Sequence, residues 1–259
     1  MKKTYISFSG GVESRTMAIL YGKGATLIFC DTGSEHEELY KSIDHFEQWV
    51  KNFHKGDIEL LRIKPDNTLE EEIVRKKFMP SPTKRFCTAT HKIKVIDRFL
   101  RNAGECKLMI GLNADEDRKG NLEELPNVEY CYPLKNEQTN FPMGLNRDEC
   151  EEMLKFYGVH PTFPPYMARG GCKFCFFKSP KEYKAMFHLN RTEFDTVLNL
   201  EIAIQDKKKK YFGIIQGGKS IAQIARESEE EERFLHADDF KDLYKETSKK
   251  TYCGLFCHR

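Results

Sequence analysis

The chain begins with a short apolar run that stops at a serine and two glycines. The run Thr4–Ser9 has the composition of a β-strand, Gly10 and Gly11 follow, and a helix-compatible segment covers Ser14–Gly22. Adjacent glycines let a backbone turn tightly and approach a ligand. The N–H groups and partial positive charge of a helix N-terminus favour an anion. The order therefore predicts a phosphate or pyrophosphate site, although an ordinary strand-to-helix turn has the same pattern.

Two common nucleotide-binding patterns do not describe this loop. The Gly-Lys-Ser/Thr ending of the Walker loop does not occur here. The glycine spacing also differs from Gly-x-Gly-x-x-Gly of dinucleotide-binding folds. Hydroxyl groups of Ser9 and Ser14 offer further hydrogen bonds beside the glycines. We expect an anion site of another type.

Bulk composition describes a globular chain with almost balanced charge. Its 259 residues are 39% hydrophobic and 32% charged, and the net charge of +2 does not require a nucleic-acid partner. No apolar run reaches the length of a membrane helix, and the first residues lack the apolar region of a signal peptide. We expect a cytoplasmic protein without a membrane partner.

Apolar runs and helix-compatible segments alternate through the first half of the chain. After the first run, strands are predicted at Ala25–Cys30, Ile58–Lys64 and Lys107–Leu112. Helices are predicted between them at Glu35–Phe53 and His91–Asn102. Alternation of this kind implies parallel strands joined by crossover helices. The predicted fold is α/β, with a doubly wound, mostly parallel, Rossmann-like sheet.

The second half of the chain has a different character: prolines and cysteines cluster in it, and its longer segments have a helical pattern. A predicted helix, Asn146–Gly158, is followed by Pro161, Pro164 and Pro165, which mark a boundary. We therefore predict an α/β nucleotide-binding domain over residues 1–160. Residues 161–259 form a helical, cysteine-containing appendage, with the predicted helices Ser179–Lys210 and Ser220–Lys250.

Polar residues follow three of the predicted strands. In α/β sheets ligands bind beyond the carboxyl ends of the strands, so these residues are expected to converge on one nucleotide site with room for a cation. Asp31 or Glu35 is a candidate Mg²⁺ ligand; the alternative is that they cap and begin the next helix. The three segments are Ser9–Gly11, Asp31–Glu35 and Gly111–Arg118.

Nine cysteines are unusual for a chain expected in the cytosol, where disulfides are rare. Cys172 and Cys175 lie two residues apart after paired glycines, and Cys253 and Cys257 lie near the end. Four soft ligands suit tetrahedral zinc or a four-iron cluster, whereas a lone pair of this spacing suits redox chemistry. Cys87 is a fourth ligand, an active-site thiol or a small buried apolar residue. The others are predicted to be structural: Cys30, Cys106, Cys131 and Cys150.

Five short motifs, in their order along the chain, carry a resemblance to a known family. Ser9–Ser14 resembles the Ser-Gly-Gly-x-x-Ser pyrophosphate loop of the adenine nucleotide α-hydrolase (PP-loop) superfamily. The chain resembles its phosphoadenosine phosphosulfate (PAPS) reductase branch in particular, which includes phage-encoded members and DNA phosphorothioation sulfurtransferases. The other matching segments are Asp31-Thr32-Gly33, Arg85-Phe86-Cys87-Thr88 with Lys92, Gly111–Arg118, and Tyr132-Pro133-Leu134 followed by His160-Pro161.

The resemblance implies chemistry between the α- and β-phosphates of ATP or a related adenine nucleotide, with Mg²⁺. Sulfurtransferases of the branch adenylate a nucleic acid or small-molecule acceptor, and a sulfur nucleophile then displaces AMP. Iron–sulfur members place ligands at the segment of Cys87 and at the later cysteine pair, which implies a [4Fe–4S] cluster here, with zinc as the alternative. A sulfur donor protein and a homodimer are the further partners implied.

Side-chain chemistry and the resemblance together assign roles to individual residues. His36 and His91 are candidate general bases, although a solvent-facing helical position is commoner for such histidines. The cofactor-binding set is Ser9, Gly10, Gly11, Glu13, Ser14, Arg15, Asp31, Thr32, Gly33, Gly111 and Glu116. The catalytic set is Ser14, Lys92, Arg118 and Cys87, and Arg118 has an ion pair with Asp115 or Glu116 as its alternative. The metal-ligand set is Cys172, Cys175, Cys253 and Cys257, with Cys87 as an alternative ligand.

Two departures from the family pattern leave three functions open. The usual Lys-Asp of the loop is Val12-Glu13 here, so a phosphate-binding lysine is missing, and Arg15, Lys84, Arg85 or Lys92 is its candidate replacement. The Glu-Cys-Gly-Ile/Leu-His tail of the reductases is replaced by Tyr252–His258. An adenylating or thiolating transferase is the first hypothesis, a PAPS or adenylylsulfate reductase the second, and a nucleotide-binding inhibitor or adaptor without turnover the third.

Overall fold

A computed structural model describes residues 2–81, 84–116, 124–135, 144–167, 170–208 and 218–233. Its five strands pair in parallel in the order β3-β2-β1-β4-β5. Their bounds are β1 Lys3–Phe8, β2 Ala25–Cys30, β3 Ile58–Ile63, β4 Cys106–Met109 and β5 Val128–Cys131. The α/β fold with a parallel sheet is thus confirmed.

The described helices lie between the strands and after them. The first five are α1 Val12–Tyr21, α2 Glu37–Phe53, α3 Leu69–Lys76, the short α4 Phe86–Thr88 and α5 Lys94–Arg101, with a π-helical turn at Ala89–Ile93 before α5. The later ones are α6 Arg147–Phe156, α7 Pro180–Leu189, α8 Arg191–Lys208 and α9 Ile221–Glu231. In the described part of the chain, no helix combines the length and apolarity needed to cross a bilayer.

Helices cover both faces of the sheet because the central strands are apolar on both sides. Ile6 and Phe8 of β1 pack in a core with residues of α1, α2 and α6. Tyr5, which points the opposite way, packs with Leu100 and Phe99 of α5. Successive side chains of a strand point to opposite faces, so one apolar run supplies two cores. This is the doubly wound arrangement that the sequence predicts.

The chain changes direction in the sheet next to β1. From β1 it continues to β2 and β3 on one side, and then crosses to β4 and β5 on the other. In sheets of this kind the crevice at the carboxyl ends of the two strands flanking such a switch is the usual ligand site. The loop after β1 and the segment after β4 meet at this crevice.

A third core joins the C-terminal helices to α3. Leu69 and Ile73 of α3 pack with buried residues of the last three helices, among them Tyr183, Phe194 and Ile224. Residues beyond 160 therefore share a core with a helix from the first half. The domain boundary near residue 160 stays a prediction.

Several element bounds differ from the predictions. Strand β5 and helix α3 were not predicted, and α1 begins at Val12, two residues early. The predicted helix Ser179–Lys210 is two helices, because Asn190 leaves the helical conformation and its side chain accepts a hydrogen bond from Glu193 N. The last described helix ends at Glu231, and the predicted continuation to Lys250 lies outside the described residues beyond Arg233.

Candidate functional site

The turn after β1 has a conformation and a packing that only glycine meets. Gly10 has a φ of +76°, and a Cβ added to it would lie 2.7 Å from Cγ1 of Ile43 on α2. Gly11 is the N-cap of α1 and supplies no side-chain hydrogen bond to the first turn. The first amides of a helix have no partner within it. The loop therefore presents backbone donors at the carboxyl end of β1, as an anion site requires.

The two serines of the loop hold it closed. Ser14 Oγ donates to the Gly11 carbonyl at 3.0 Å and accepts from the Ser9 amide at 3.3 Å. The Ser9 and Ser14 hydroxyls are 3.3 Å apart, and Ser9 Oγ accepts from the Gly11 amide at 3.4 Å. Ser14 is 2% exposed. These contacts preorganise the turn before any ligand binds.

Arg15 lies behind the loop. Its guanidinium donates to the carbonyls of Gly10, Val159 and Ser42 at 3.0, 2.9 and 2.8 Å and to the Ser42 hydroxyl at 2.7 Å. It also stacks on the Phe46 ring, and burial lowers its pKa to about 9. With its donors used in this way, Arg15 supports the backbone of the loop. Arg15 was one of the candidate replacements for the phosphate-binding lysine that the loop lacks, but these hydrogen bonds go to the protein's own carbonyls and to Ser42.

Glu13 connects the loop to the far side of the switch point. Its carboxylate accepts from Arg147 Nη1 at 2.8 Å and from Asn113 Nδ2 at 3.2 Å. A Cβ added to Gly111 would lie 3.2 Å from Glu13 Cβ, so the segment after β4 lies directly against α1. Glu13 therefore orders the crevice through an ion pair. Arg147, which the sequence analysis missed, lies 134 residues away, and no local pattern marks it.

The turn after β2 is organised by Asp31. Its Oδ1 accepts from the Gly33 amide at 2.9 Å and from the Tyr40 hydroxyl at 2.6 Å, while Oδ2 is 3.5 Å from Lys64 Nζ. The alternative of a helix cap is wrong, because α2 begins at Glu37 with His36 as its N-cap. Gly33 has a φ of +73° and packs against Thr68. The carboxylate thus faces the same sheet edge as the glycine loop.

Lys92 extends from the π-helical turn to the end of β2. Its Nζ is 3.7 Å from Glu35 Oε1. Burial disfavours the ammonium, yet the Glu35 carboxylate raises its pKa. The thiols of Cys172, Cys87 and Cys30 lie nearby. A π turn shifts the side chains that follow it, and such turns are frequent at functional sites. This cation keeps its charge at the sheet edge.

The cysteine pair is fastened to the segment after β2. Cys172 forms an isolated antiparallel bridge with Glu35, and the Lys173 amide donates to the Ser34 carbonyl at 2.9 Å. The fully buried Lys178 donates to the Cys172 carbonyl at 2.5 Å. Backbone pairing thus holds Cys172 at the edge of the sheet where the nucleotide loop opens.

Three thiols are electrostatically coupled at this edge. A hydrogen bond between Cys172 and Cys175, followed by burial, raises the pKa of Cys172. Burial and then the neighbouring Cys175 raise the pKa of Cys87. A thiol with a raised pKa is protonated near neutral pH unless a metal takes the place of the proton. Three neighbouring thiols are soft ligands of the kind that bind zinc or iron.

Comparisons with known proteins agree with this geometry. The phosphoadenosine phosphosulfate reductase domain family matches residues 3–142, more than half of the 259 residues. This chain belongs to that family. The matched residues of this PAPS reductase domain include the glycine loop, Asp31, Lys92 and Cys87, whereas the cysteine pair follows it.

Two individual proteins are similar to this PAPS reductase-family chain. An uncharacterized protein of Methanocaldococcus jannaschii is 30% identical over 103 residues, which are 38% of this chain. They are 20% of that protein, so this chain matches about a fifth of that relative's length. A crystal structure of phosphoadenylyl-sulfate reductase from Candida auris, in a phosphate complex, has 14% identity and a TM-score of 0.41. That match covers 61% of this chain and 74% of the other.

The predicted site residues of this PAPS reductase-family protein fall into three groups. One group surrounds the switch point, with the turn after β2 beside it: Ser9, Gly10, Gly11, Glu13, Ser14, Asp31, Thr32, Gly33 and Gly111. Glu116 follows β4 in a turn, its amide donating to Asn113 O at 3.2 Å. A second group gathers around the end of β2: Lys92, Cys87, Cys172 and Cys175. Arg118, Cys253 and Cys257 lie outside the described residues.

The solvent-facing position expected for His36 and His91 is wrong. His36 is 1% exposed and His91 is 4% exposed, so neither faces solvent. His91 contacts the Thr90 hydroxyl at 2.9 Å and the Thr68 carbonyl at 3.3 Å. The helical pattern predicted an exposed face, but packing of the π-helical turn against α3 and of α2 against α8 covers both rings.

Proposed function

We propose that this protein binds ATP or a related adenine nucleotide in the Ser9–Ser14 loop and transfers its adenylyl group, or sulfur by way of it, to an acceptor. The observation that carries the proposal is the bridge between Cys172 and Glu35. It brings a cysteine pair and Lys92 to the sheet edge where the glycine loop opens. A nucleotide site and a soft-metal site at one edge suit a reaction that uses both.

Cleavage beside the α-phosphate matches the donors of the loop. An acceptor nucleophile attacks the α-phosphorus, the bond to the bridging oxygen of the β-phosphate breaks, and pyrophosphate leaves with the electron pair. The amides at the start of α1 stabilise the charge that develops on the leaving group. Asp31 supplies oxygen ligands for Mg²⁺, which binds proteins through one or two carboxylates together with substrate phosphates. In the thiolation form of the reaction, a sulfur nucleophile then displaces AMP from the acceptor.

The donor set at the end of β2 fits an iron–sulfur cluster. Cys172 and Cys175 are in contact, and Cys87 is electrostatically coupled to Cys175. Cys253 or Cys257, which lie outside the described residues, would supply the fourth thiolate. A [4Fe–4S] cluster held by these cysteines would supply a site for sulfur or electrons beside the nucleotide, and zinc is the alternative occupant. The family's implied acceptor, sulfur donor protein, homodimer and cytoplasmic location belong to the same proposal.

Pyrophosphate release tests the nucleotide half of the proposal. Purified protein receives ATP and Mg²⁺ with either bulk tRNA or duplex DNA as acceptor. We expect acceptor-dependent pyrophosphate release and AMP formation, and loss of both in Ser14→Ala. The nucleotide-binding inhibitor or adaptor is the better description if ATP binds but neither pyrophosphate nor AMP forms with any acceptor, and if Ser14→Ala leaves the protein's effect in the cell intact.

A pair of matched cysteine variants tests the metal half. Cys172→Ala removes a thiol at the carboxyl edge of the sheet, whereas Cys106→Ala removes a buried thiol at the start of β4, on the opposite edge. Iron and zinc are counted after anaerobic purification. We expect Cys172→Ala to lose the metal bound by the cysteines and keep ATP binding, and Cys106→Ala to keep both. Equal metal content in the two variants contradicts the assignment.

A PAPS or adenylylsulfate reductase is the second candidate, favoured by the family's own description as a PAPS reductase domain. In that reaction a thiolate attacks the sulfur of the sulfonucleotide, and the nucleotide leaves with the bridging oxygen as adenosine phosphate. A second thiol then attacks the sulfur of the first in the S-sulfo adduct, so that a disulfide forms and sulfite leaves. Thiol-dependent sulfite release from either sulfonucleotide, without pyrophosphate release from ATP, selects this candidate over the transferase.

A further inference from the structure

A second cluster of ligand-type side chains lies apart from the nucleotide loop and the cysteine pair. His36 precedes α2, Glu38 lies in the first turn of α2, and Glu193 lies in the first turn of α8. One ligand atom from each of these residues lies within 4.8 Å of the others. The cluster joins a helix of the sheet domain to a helix of the C-terminal half.

His36 and Glu193 are buried, Glu38 is half-buried, and the cluster is incompletely hydrogen-bonded. His36 is 1% exposed, and its Nδ1 lies 2.5 Å from Glu193 Oε2. Its other nitrogen, Nε2, is buried and has no hydrogen-bond partner, and the same holds for Glu38 Oε2. A buried polar atom without a partner costs about 1–3 kcal/mol. Two such atoms in one cluster indicate that a ligand is missing.

Outer contacts position the ligands. The Tyr166 hydroxyl donates to Glu193 Oε2 at 3.4 Å, and Lys173 Nζ is 3.8 Å from Glu193 Oε1. Hydrogen bonds of this kind orient the carboxylates and imidazoles of metal sites. Lys173 also pairs its backbone amide with Ser34, so the cluster is mechanically linked to the cysteine segment.

We propose that His36, Glu38 and Glu193 bind one divalent transition-metal ion, with zinc as the expected ion. Imidazole nitrogen and carboxylate oxygen are both ligands of zinc, and three protein ligands leave a position for water. The ion fastens α2 to α8 and thereby sets the position of the C-terminal half against the sheet. Its ligands contain no sulfur, which separates it from the cysteine site.

Cobalt substitution tests this site. Chelator-treated full-length protein is titrated with Co²⁺ or Zn²⁺, and bound metal is counted by mass spectrometry. The test variants are Glu38→Gln and Glu193→Gln. The control is Glu37→Gln, which changes an exposed carboxylate in the same helical turn whose partner is Lys41. Circular dichroism checks that each variant is folded.

We expect wild type and Glu37→Gln to bind one cobalt ion more than Glu38→Gln and Glu193→Gln do, and the visible bands of that additional ion lack thiolate charge transfer. Glu38→Gln and Glu193→Gln should lose that ion, with an affinity reduced by at least about 100-fold. Zinc should raise the melting temperature of wild type more than that of either test variant. Should Glu193→Gln fail to fold, Glu38→Gln decides, because its Oε2 has no protein partner to lose. Equal cobalt content and spectra in all four proteins, or thiolate bands on every bound cobalt, overturns the proposal.

Discussion

The two halves of the candidate site are built in different ways. The glycine loop is a contiguous segment, and its own serines close it through contacts within five residues. The cluster of Lys92 and the thiols is assembled from the end of β2, the π-helical turn and the segment of Cys172. A local loop of this kind can be predicted from the sequence, whereas a cluster assembled from distant segments depends on the whole fold.

Each half nevertheless depends on a buried cation that binds backbone carbonyls. Arg15 is 2% exposed and holds the glycine loop, and Lys178 is 0% exposed and holds Cys172. Backbone carbonyls buried without water need such donors. The difference between the halves lies in how their parts are brought together, and the common feature is how they are fixed.

The largest expected effect concerns the conformation of the glycine loop. Gly10→Ala places a side chain on a backbone in the left-handed region, and its Cβ would lie 2.7 Å from Cγ1 of Ile43. Left-handed strain and overpacking each cost about 1–3 kcal/mol. We expect ATP affinity to fall by at least about 10-fold, measured by calorimetry, while the metal content of the cysteine site stays unchanged.

Gly24→Ala is the matched control for this change. Gly24 has a φ of +73°, close to that of Gly10, but a Cβ there meets nothing within 4 Å. It should lower the free energy of unfolding by about 1–2 kcal/mol without an effect on ATP affinity. If both variants lower ATP affinity equally, backbone strain alone explains the loss and the close packing of the loop on α2 is irrelevant.

The buried cations provide the second comparison. Arg15→Met and Lys178→Met each leave buried carbonyls unpaired, so each should lower the free energy of unfolding by about 1–3 kcal/mol in urea. Arg15→Met should weaken ATP binding, and Lys178→Met should reduce the metal content. A result in which both variants change both properties equally shows that the two halves behave as one unit.

The smallest expected effect is a dependence of stability on pH. Burial lowers the pKa of His160, beside the glycine loop, and of His91, beside Lys92, below the ordinary 6.5. The unfolded chain therefore binds more protons than the folded one near and below 6.5. Stability is complete above that pH and is lost as the pH falls.

Urea unfolding at about pH 7.5 and about pH 5.5 measures this slope. We expect His160→Gln and His91→Gln each to flatten it, and the two changes to add if the halves are independent. A slope that neither variant changes assigns the acid sensitivity to other groups.

Local signals predicted much of the fold and the position of the glycine loop. The apolar runs identify four of the five described strands, because strands buried on both faces are continuously apolar. Strand β5 was missed, since its four residues carry Glu129 between apolar neighbours and lack such a run. The π-helical turn was missed as well, because its residues fit an ordinary helical pattern.

The amino-acid sequence by itself determined the glycine loop, the α/β class and the membership of a PAPS reductase family. These features depend on contacts between residues close together in the sequence and on the alternation of apolar residues along it, so the sequence shows them directly. Only the tertiary structure decided that Arg15 supports the loop, that Glu13 pairs with Arg147, and that His36 is buried against Glu193. Contacts such as the last two join residues more than a hundred positions apart, and it is the packing of the helices on the sheet that brings those residues together.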